Sequence, residues 1–562
     1  MYYKCFVIVL SLLFVGNVGA QYDPGIQKLA KEFFEWRAVT QPSTGDDIPR
    51  VERPDKWVPD FSQAALKSYR NKYLEFSNKL KNLTNNFWTL SDSVDYLLLH
   101  SAIERINWEL NVLNLPERNP DFYVHQTIGA VFELLIIHSS MTRQRAENII
   151  LRLNSIYTTI EYAKHNLTIP VAAFADIALD NLSDIRNNLY YMRDALNELF
   201  PADLNAQLNS AVEQAALALE NYVKWIQERR SSMQNNFIVG REGYEYFLKN
   251  IGLMPYSTDE LLIMGKQEWD RSVSFDVYER EKNKELSELK IFASADEEIL
   301  MESTDEESIR NFLVEKEILT IPDWVKHYKF LKLPPHISPF SYMGVTDDLT
   351  SETRLNENGV SYIPEPSTDL GYFRLATAKD PRPIIIHEGV PGHYFQLVLS
   401  WANTNPIRRR YFDSGANEGI AFYVEELLLQ YGLFDDKPKT REIIYSFMRL
   451  RALRVAVDIN LALGNYSIED AGEYLAATVP MDLATGIHEA GFFAYNPGQA
   501  ISYQIGKLQI FKFLADAKIM LGEDFDLRDF HDYIMENGNV PIALLRWEYL
   551  GLSDEIYELW PN

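Results

Sequence analysis

The chain has 562 residues, of which 46% are hydrophobic, 24% charged and 13% aromatic, and its formal net charge at pH 7 is −26. This length and balance predict a folded protein with a large core or about two or three packed domains, and they exclude an extensively disordered chain. The negative charge argues against nucleic acid or an anionic membrane surface as a partner, because both repel an acidic protein.

Residues 1–20 predict a secretory signal peptide. Lys4 precedes an apolar run from Phe6 to Val15, and small residues end the segment at Ala20, before Gln21. An N-terminal membrane anchor is the alternative. The run is short for a bilayer span, so cleavage and secretion of the mature chain are favoured.

Two further features agree with an exported protein. Cys5 is the only cysteine and lies inside the predicted signal, so the mature chain must rely on its core instead of disulfides. Four Asn-x-Ser/Thr sequons predict N-glycosylation on a eukaryotic secretory route, with at least one expected to be unused. The sequons are Asn82, Asn166, Asn181 and Asn465. No later run is apolar enough to cross a bilayer, so we expect an extracellular protein without a membrane span.

Helical patterns dominate the chain after an irregular lead-in. Apolar residues recur at three- and four-residue spacing, which predicts a mostly α fold. Residues 21–255 are the predicted N-terminal helical region, a bundle or array without a repeat of fixed period. The capping-box pattern Ser257–Glu260 opens the second region, residues 256–562, which we expect to be a helical catalytic region. The acidic run 294–307 is interpreted as a solvated helix face or linker.

Residues at about 333–375 interrupt the helical pattern. Five prolines there alternate with two β-prone pieces, Gly359–Ile363 and Gly371–Leu375. They predict a small β element ahead of the next motif. A strand in such a place can lie along a cleft and pair with an extended peptide.

The stretch from His387 to Gln396 carries the residues for chemistry. His387 and His393 offer imidazole nitrogens to Zn²⁺, and Glu388 offers a carboxylate that can activate a water. The histidines are six residues apart instead of the usual four, so a regular helix would turn their rings about 120° away from each other. We therefore expect a widened turn near Pro391-Gly392 that returns both rings to one face.

Glu418 is the predicted third metal ligand. It opens an apolar helix, where a carboxylate without a partner is costly. Glu425 follows two helical turns later on the same face, and it would orient a histidine or pair with an arginine. The alternative, that both are exposed helix acids, stays open, and more so for Glu425.

A basic cluster follows on the next predicted helix. Arg449, Arg451, Arg454 and Asp458 share one helical pattern, with Arg454 and Asp458 four residues apart. These side chains would either bind a carboxylate of the substrate or close a buried ion-pair network. The structural role is slightly favoured.

Gln499 and Tyr503 form a further candidate pair, again four residues apart. A tyrosine hydroxyl that faces the metal can stabilise the oxyanion of a tetrahedral intermediate, an effect of about 3–4 kcal/mol. The alternative is a packed aromatic ring whose hydroxyl is satisfied inside the protein. His488 and His531 are weaker candidates for accessory groups.

These segments together resemble the DUF885 family, a broad group of predicted zinc metallohydrolases. The matching segments are His387–Gln396, Glu418–Glu425, Pro497–Gly506 and Asn537–Ile542. The resemblance extends over most of the mature chain and implies a large helical, gluzincin-like metallopeptidase fold around a central cleft, with a lengthened zinc motif. This chain departs from the family pattern at Ala462, where a His is frequent, and at Phe492, where an Arg is frequent. Both positions lie outside the ligand triad and bear on substrate binding or transition-state support.

The sequence as a whole predicts a secreted zinc metallopeptidase. The predicted Zn²⁺ ligands are His387, His393 and Glu418. Glu388 would be the general base, and Tyr503 with Gln499 would polarise the scissile carbonyl. A helical shell around a cleft favours short or unstructured peptides as substrates. Two alternatives remain open: a zinc-dependent hydrolase of non-peptide amides or esters, and a catalytically silent extracellular binding protein.

Overall fold

The computed structural model describes residues 22–44, 51–83 and 88–560, so the predicted signal peptide, residues 1–20, lies outside the described residues. Helices dominate, and the predicted mostly α fold class is confirmed. The helices before residue 256 are α1 Pro24–Thr40, α2 Gln63–Lys81, α3 Leu90–Asn107, α4 Leu115–Arg118, α5 Pro120–Val124, α6 Ala130–Leu135, α7 Arg143–Asn166, α8 Ala172–Asn181, α9 Ile185–Leu199, α10 Asn205–Arg229 and α11 Gly240–Asn250.

The second part of the chain opens with the predicted capping box. The backbone N–H of Ser257 donates to the carboxylate of Glu260 at 2.8 Å, and the Ser257 hydroxyl accepts the N–H of Glu260 at 3.3 Å. The helices that follow are α12 Thr258–Lys282, α13 Ala295–Glu315, α14 Tyr372–Thr377, α15 Arg382–Ile384, α16 His393–Ala402, α17 Ser414–Gln430, α18 Pro438–Leu463, α19 Ile468–Thr478, α20 Leu483–Tyr495, α21 Ile501–Leu521, α22 Leu527–Glu536, α23 Ile542–Leu550 and α24 Asp554–Leu559.

Short π and 3-10 turns interrupt or join these helices. The π turns are Trp108–Val112, His125–Gly129 and Ile385–Gly389, and the 3-10 turns are Ala202–Leu204, Arg230–Ser232, Ser338–Met343 and Gly522–Asp524. A π turn inserts an extra residue into a helix and redirects the side chains that follow. The third of these turns contains His387 and Glu388 of the histidine motif.

The predicted β element is a three-stranded sheet in the order β1-β3-β2. Its strands are β1 Tyr328–Lys332, β2 Asp347–Asp348 and β3 Gly359–Ile363, with β1 parallel and β2 antiparallel to β3. The sheet begins ahead of the predicted start at about 333, because β1 precedes the prolines, which cannot donate to a strand ladder.

The prediction of a strand at Gly371–Leu375 is wrong. Gly371 is the N-cap of α14 and residues 372–375 lie in its helix, so their backbone groups do not pair with a strand. The rings of Tyr372 and Phe373 lie 5.7 and 5.5 Å from the ring of Phe447 on α18. Tertiary packing on one side therefore overrides a local β preference.

The acidic run 294–307 also differs from expectation. It forms most of α13, and Glu298, Glu302 and Glu306 are buried instead of solvated. Glu302 accepts the backbone N–H of Phe330 at 3.0 Å, and Glu306 accepts that of Tyr328 at 3.3 Å. Because β1 is an edge strand, its outward N–H groups need acceptors, and the carboxylates of α13 supply them.

The largest apolar core is continuous across both predicted regions. Its buried residues run from Ile26 on α1 to Leu559 on α24. Helices from the N-terminal region thus share a core with the helices that carry the histidine motif. This shared core places N-terminal side chains close enough to contribute to the site.

Candidate metal centre

The histidine motif folds as a π turn, a break and a new helix. The N–H of Val390 donates to the carbonyl of Ile385 at 2.9 Å, which closes the π turn Ile385–Gly389. The Val390–Pro391 peptide is cis, and α16 then begins at His393. The expected distortion is present, but the wide turn lies before Pro391, and Pro391-Gly392 forms a break instead of a widened turn.

Gly392 allows the backbone at this break to lie in close contact with the π turn. A Cβ atom at this position would collide with the carbonyl oxygen of His387. The backbone of the new helix therefore lies directly against the end of the π turn, which requires glycine. As a result the two imidazole rings lie 4.8 Å apart between centroids, at 81° to each other.

Glu418 on α17 faces both imidazoles. Its Oε2 atom lies 3.6 Å from Nε2 of His387 and 3.3 Å from Nε2 of His393. Ligands at about 2.0–2.2 Å from a tetrahedral Zn²⁺ are about 3.3–3.6 Å from one another, so both separations suit a shared zinc ion. The structure thus brings together the three residues of the predicted ligand set.

The environment of Glu418 also fits a cation. The residue is 1% exposed, and among the described residues no group donates a hydrogen bond of normal geometry to either carboxylate oxygen. Burial opposes its ionisation, but the neighbouring charges of His393 and His387 hold the pKa of Glu418 well below its ordinary value. A buried, ionised carboxylate without donors is costly unless a cation neutralises it, and a metal ion would do so.

Close backbone packing fixes the position of Glu418. The next residue, Gly419, lies so close to α21 that a Cβ atom would be 2.7 Å from the backbone of Gly506. Helices α17 and α21 therefore meet backbone to backbone. This contact brings Tyr503 on α21 to the same centre as Glu418.

Glu388 is the fourth group of the centre. Within the described ranges, His387, Glu388 and His393 form a cluster of potential metal ligands. One ligand atom from each lies within 4.8 Å of the other two. Burial raises the pKa of Glu388, with a further contribution from the carboxylate of Asp347, although the two imidazoles oppose the shift. Glu388 is partly exposed whereas Glu418 is fully buried between both Nε2 atoms. Glu418 is therefore the better candidate for a third ligand, and Glu388 is the more accessible of the two carboxylates.

Glu425 supports the opposite side of His387. Its Oε1 lies 2.7 Å from His387 Nδ1 and 3.0 Å from Nη2 of Arg451, and the side chain is fully buried. A carboxylate at Nδ1 fixes the ring and directs Nε2 towards Glu418. Arg451, which supplies the counter-charge, belongs to the predicted basic cluster but was not singled out there.

Two further members of the predicted basic cluster, Arg454 and Asp458, form structural contacts. Arg454 donates to Glu489 at 2.9 and 2.5 Å, and its guanidinium lies 4.7 Å from the ring centre of Tyr503. Asp458 accepts the backbone N–H of Gly498 at 2.9 Å and of Ile501 at 3.1 Å, while burial raises its pKa to about 7. These contacts match the ion-pair and support alternative for Arg454 and Asp458.

Tyr503 and Gln499 differ in their surroundings. The ring of Tyr503 is nearly parallel to that of His387, at 9° and 6.4 Å between centroids. Gln499 accepts a hydrogen bond from the hydroxyl of Ser414 at 2.8 Å, which ties the start of α21 to the start of α17. Tyr503 thus lies beside the His387 ring, whereas the side-chain carbonyl of Gln499 joins two helices.

A cavity of about 390 Å³ opens at Glu388 and His393. Strand β2 contributes to its lining, and the N-terminal half of the chain contributes Arg53, Trp57 and Arg152. These three residues were missed from the sequence, because Arg53 and Trp57 lie in the irregular lead-in and Arg152 lies within an ordinary helical pattern. No local motif indicates that they reach the histidine motif.

Comparison with known proteins gives the family. The profile described as “Bacterial protein of unknown function (DUF885)” matches residues 41–548. The chain belongs to the DUF885 family. A search of curated proteins gives no match.

Two solved structures share the DUF885 chain's fold. A “putative lipoprotein of unknown function” from Shewanella oneidensis has 16% identity and a TM-score of 0.71, covering 93% of this chain and 99% of its own. A “putative lipoprotein” from Colwellia psychrerythraea has 17% identity and a TM-score of 0.71, covering 93% and 98%. At these identities the likeness establishes the fold alone. Within the described ranges, no helix of this DUF885 protein has both the length and the apolar character needed for a membrane span.

The two departures from the DUF885 pattern lie in apolar surroundings. Ala462 on α18 is buried in an apolar cluster that includes Val455 of the same helix and Ile505 of α21. The ring of Phe492 packs against Phe493 and Tyr495 at 5.7 and 5.6 Å. Each position is thus occupied by a side chain that suits packing instead of proton transfer or anion binding.

The remaining predicted histidines lie in structural contacts or at the surface. His531 is buried between the hydroxyl of Tyr423 at 2.8 Å and the carbonyl of Ile318 at 2.7 Å. His488 is exposed on α20. His531 therefore bridges α17 and the segment after α13, and His488 faces solvent.

The four predicted sequons have different accessibility. Asn82 and Asn465 are exposed, and Asn181 is partly exposed. Asn166 is 4% exposed, and its Nδ2 donates to a backbone carbonyl at 2.7 Å and to a tyrosine hydroxyl at 3.0 Å. A glycan on this nitrogen is incompatible with both contacts, so Asn166 is the sequon we expect to be unused.

Proposed function

We propose that this DUF885 protein is an exported zinc-dependent peptidase that hydrolyses short or unstructured peptides. The proposal rests on Glu418 Oε2, which lies 3.6 Å from Nε2 of His387 and 3.3 Å from Nε2 of His393. Two imidazoles and one carboxylate are a common ligand set for catalytic zinc, and they leave a coordination position open.

Zn²⁺ held by this set would supply a Lewis acid that lowers the pKa of water and polarises a carbonyl group. The carboxylate of Glu388 takes the proton from the attacking water and passes it to the nitrogen of the leaving amine. Its partial exposure at the cavity suits both transfers. Glu425 keeps the His387 ring in place, and the π turn sets the direction of Glu388 relative to that ring.

Tyr503 is the proposed donor to the carbonyl oxygen as charge develops on it. Its ring lies beside His387, and the guanidinium groups of Arg454 and Arg451 lie 4.7 and 5.7 Å from the ring centre. Tyr503→Phe keeps the ring and removes the hydroxyl. We expect this variant to lose about 100- to 1,000-fold in kcat with unchanged zinc content.

The shape of the cavity supports peptides as substrates. Its volume of about 390 Å³ lies within the range of about 300–1,000 Å³ that is usual for pockets binding small ligands. Strand β2 is at the edge of the sheet and lines this cavity, so an extended peptide bound there would lie beside the sheet. A short or unfolded chain can adopt that conformation, whereas a folded protein cannot enter.

Export is part of the proposal. Residues 1–20 have the pattern of a secretory signal, and both similar solved structures are described as lipoproteins. An acidic protein with exposed sequons at Asn82 and Asn465 is compatible with an extracellular location. Detection of the mature chain in culture medium, with its N-terminus at Gln21, would support it.

A diverse peptide library tests the proposed activity. The zinc-loaded full chain should release new peptide termini that mass spectrometry detects, and Glu388→Gln should abolish them while it keeps its metal. A matched panel of non-peptide amides and esters distinguishes a peptidase from a hydrolase of non-peptide substrates, because only the latter would cleave the panel in preference to peptides. Zinc binding without cleavage of any peptide would refute the peptidase, and cleavage by Glu388→Gln at the wild-type rate would refute the assigned base.

A further inference from the structure

The cavity at the metal centre contains two arginines around one tryptophan. We call Arg53, Trp57, Glu133 and Arg152 the Arg53–Arg152 cluster; all four line the cavity that also contains Glu388. The guanidinium carbons of Arg53 and Arg152 lie 4.2 and 4.8 Å from the Trp57 ring centre. Cation–π contacts of this kind hold the guanidinium groups in place. Both arginine side chains are almost completely buried, at 3% and 5% exposure.

The Arg53–Arg152 cluster has a net positive charge, because it contains two arginines and one glutamate. Glu133 is 3.1 Å from Nη1 of Arg152 but 3.7 Å from Nη2 of Arg53, and it also accepts the hydroxyl of Ser43 at 2.7 Å. Within the described part of the chain, the Nε–H groups of Arg53 and Arg152 have no hydrogen-bond acceptor. Arg53 also donates to the carbonyl of Ala38 at 3.1 Å and Arg152 to that of Ala130, but these neutral acceptors do not offset charge. Among the described residues, Glu133 is the one carboxylate paired with these two buried guanidinium groups, which leaves a net positive charge beside the cavity.

A third arginine in the cavity, Arg354, differs from Arg53 and Arg152 because two carboxylates neutralise its charge. Arg354 donates to both oxygens of Asp348 at 2.9 and 2.6 Å and to Glu357 at 3.0 Å. Its charge is fully compensated by its protein partners, so it has no need of a ligand. Uncompensated buried charge is costly, which makes the Arg53–Arg152 cluster the cationic end of this cavity.

We propose that Arg53 and Arg152 bind a carboxylate group of the substrate. The identity of that substrate rests on the proposed peptidase function, whereas binding of the anion does not. The planar fork of a guanidinium group matches a carboxylate, and two such groups fixed by Trp57 present donors in a set direction. The anionic group itself is either the C-terminus of a peptide or an acidic side chain.

The size of the cavity limits where the bound peptide is cut. A sphere of about 390 Å³ is about 9 Å across, which is the length of about two or three extended residues at about 3.5 Å each. If the cluster holds a carboxylate of the peptide, the peptide bond at the metal centre would therefore be about one to three residues away from that carboxylate. If that carboxylate is the C-terminus, the enzyme removes short pieces from the C-terminal end of peptides.

Equilibrium binding tests the inference without turnover. Three probes are titrated calorimetrically into the full chain carrying Glu388→Gln: N-acetyl-Ala-Ala as the free acid, the same dipeptide as the carboxamide, and N-acetyl-Ala-Glu carboxamide. A charged hydrogen bond in a buried site corresponds to about 10- to 100-fold in affinity, so an acid probe should bind at least about 10-fold more tightly than the neutral one. Preference for the first acid identifies the C-terminus, and preference for the third probe identifies an acidic side chain.

Variants of the cluster provide the control. Arg53→Met keeps the stem over Trp57 and should bring the ratio of acid to amide affinity close to 1. Arg546→Met is the matched control, since Arg546 is equally buried but pairs with Asp516 and Asp554 outside the cavity lining, and it should leave the ratio unchanged. Glu133→Gln removes the counter-charge and should tighten binding of the acid, a direction that loss of folding cannot mimic.

The outcomes separate this inference from the proposed function. Equal binding of acid and amide probes, or a preference that survives Arg53→Met, overturns the inference even if peptides are cleaved. Selective binding that depends on Arg53 supports it even if the wild type cleaves no peptide, in which case the peptidase proposal alone fails. Weaker binding of the acid by folded Glu133→Gln also overturns it.

Discussion

Glu425→Gln tests whether the geometry of His387 depends on a carboxylate outside the proposed ligand set. Glu425 is fully buried, with Oε1 2.7 Å from Nδ1 of His387 and 3.0 Å from Nη2 of Arg451. The substitution keeps size and an acceptor oxygen but removes the charge that orients the ring. Outer partners of this kind contribute about 10- to 100-fold in metal affinity, equivalent to about 1.4–2.7 kcal/mol. We expect a loss of zinc affinity of that size, measured by competition with a chromophoric chelator.

Glu426→Gln is the matched control. Glu426 is the next residue on α17 and is also buried, but its carboxylate pairs with Arg271 at 2.6 Å and with Lys507 at 2.8 Å. Loss of that charge should lower the melting temperature, because it leaves buried cations unpaired, and should leave zinc affinity unchanged. Wild-type zinc affinity in Glu425→Gln, or an equal loss in Glu426→Gln, would refute the orienting role.

Three other predictions follow from particular residues. Gly392→Ala should abolish zinc binding, because its Cβ meets a backbone oxygen of the π turn, whereas Gly371→Ala, with its nearest neighbour at 3.4 Å, should bind zinc normally in the same chelator assay. Burial raises the pKa of Glu302 to about 7, so the folded state keeps a proton that the unfolded state loses near pH 4.5. The free energy of unfolding should therefore fall by up to about 3 kcal/mol between about pH 4.5 and 7, and Glu302→Gln should flatten that slope in urea titrations. Glycopeptide mapping of protein secreted from eukaryotic cells should find a glycan at Asn465 and none at Asn166; a glycan at the latter would contradict its buried contacts.

Features that depend on local spacing could be predicted from the sequence. The apolar periodicity indicated the helices, and the β-branched piece Gly359–Ile363 forms β3 with the predicted bounds. The six-residue separation of His387 and His393 indicated a distortion before the second ring. The kind of distortion could not be predicted from the sequence. A π turn at Ile385–Gly389 and a break at Gly392 can each bring the His393 ring back towards His387, and only the packing of the fold decides between them.

Features that depend on distant packing could not be predicted. Glu302 has the sequence context of a solvated helix face, and only the neighbouring edge strand β1 makes it a buried acceptor. Arg53 and Arg152 precede the histidine motif by more than two hundred residues and reach its cavity through the shared core. Neither has a spacing signal that links it to His387. When a candidate site is assembled from two distant regions, a single sequence therefore reveals only the region that carries a recognisable motif.

The zinc content of the purified full chain distinguishes Glu418 from Glu388 as the third metal ligand. Wild type and Glu388→Gln should each contain about one zinc ion per chain after dialysis, and Glu418→Gln should contain almost none. The contrast matters because both carboxylates lie close to the two imidazoles, and only Glu418 places one oxygen within 3.6 Å of both Nε2 atoms. A wild type without zinc, or zinc retained by Glu418→Gln and lost by Glu388→Gln, would contradict the account.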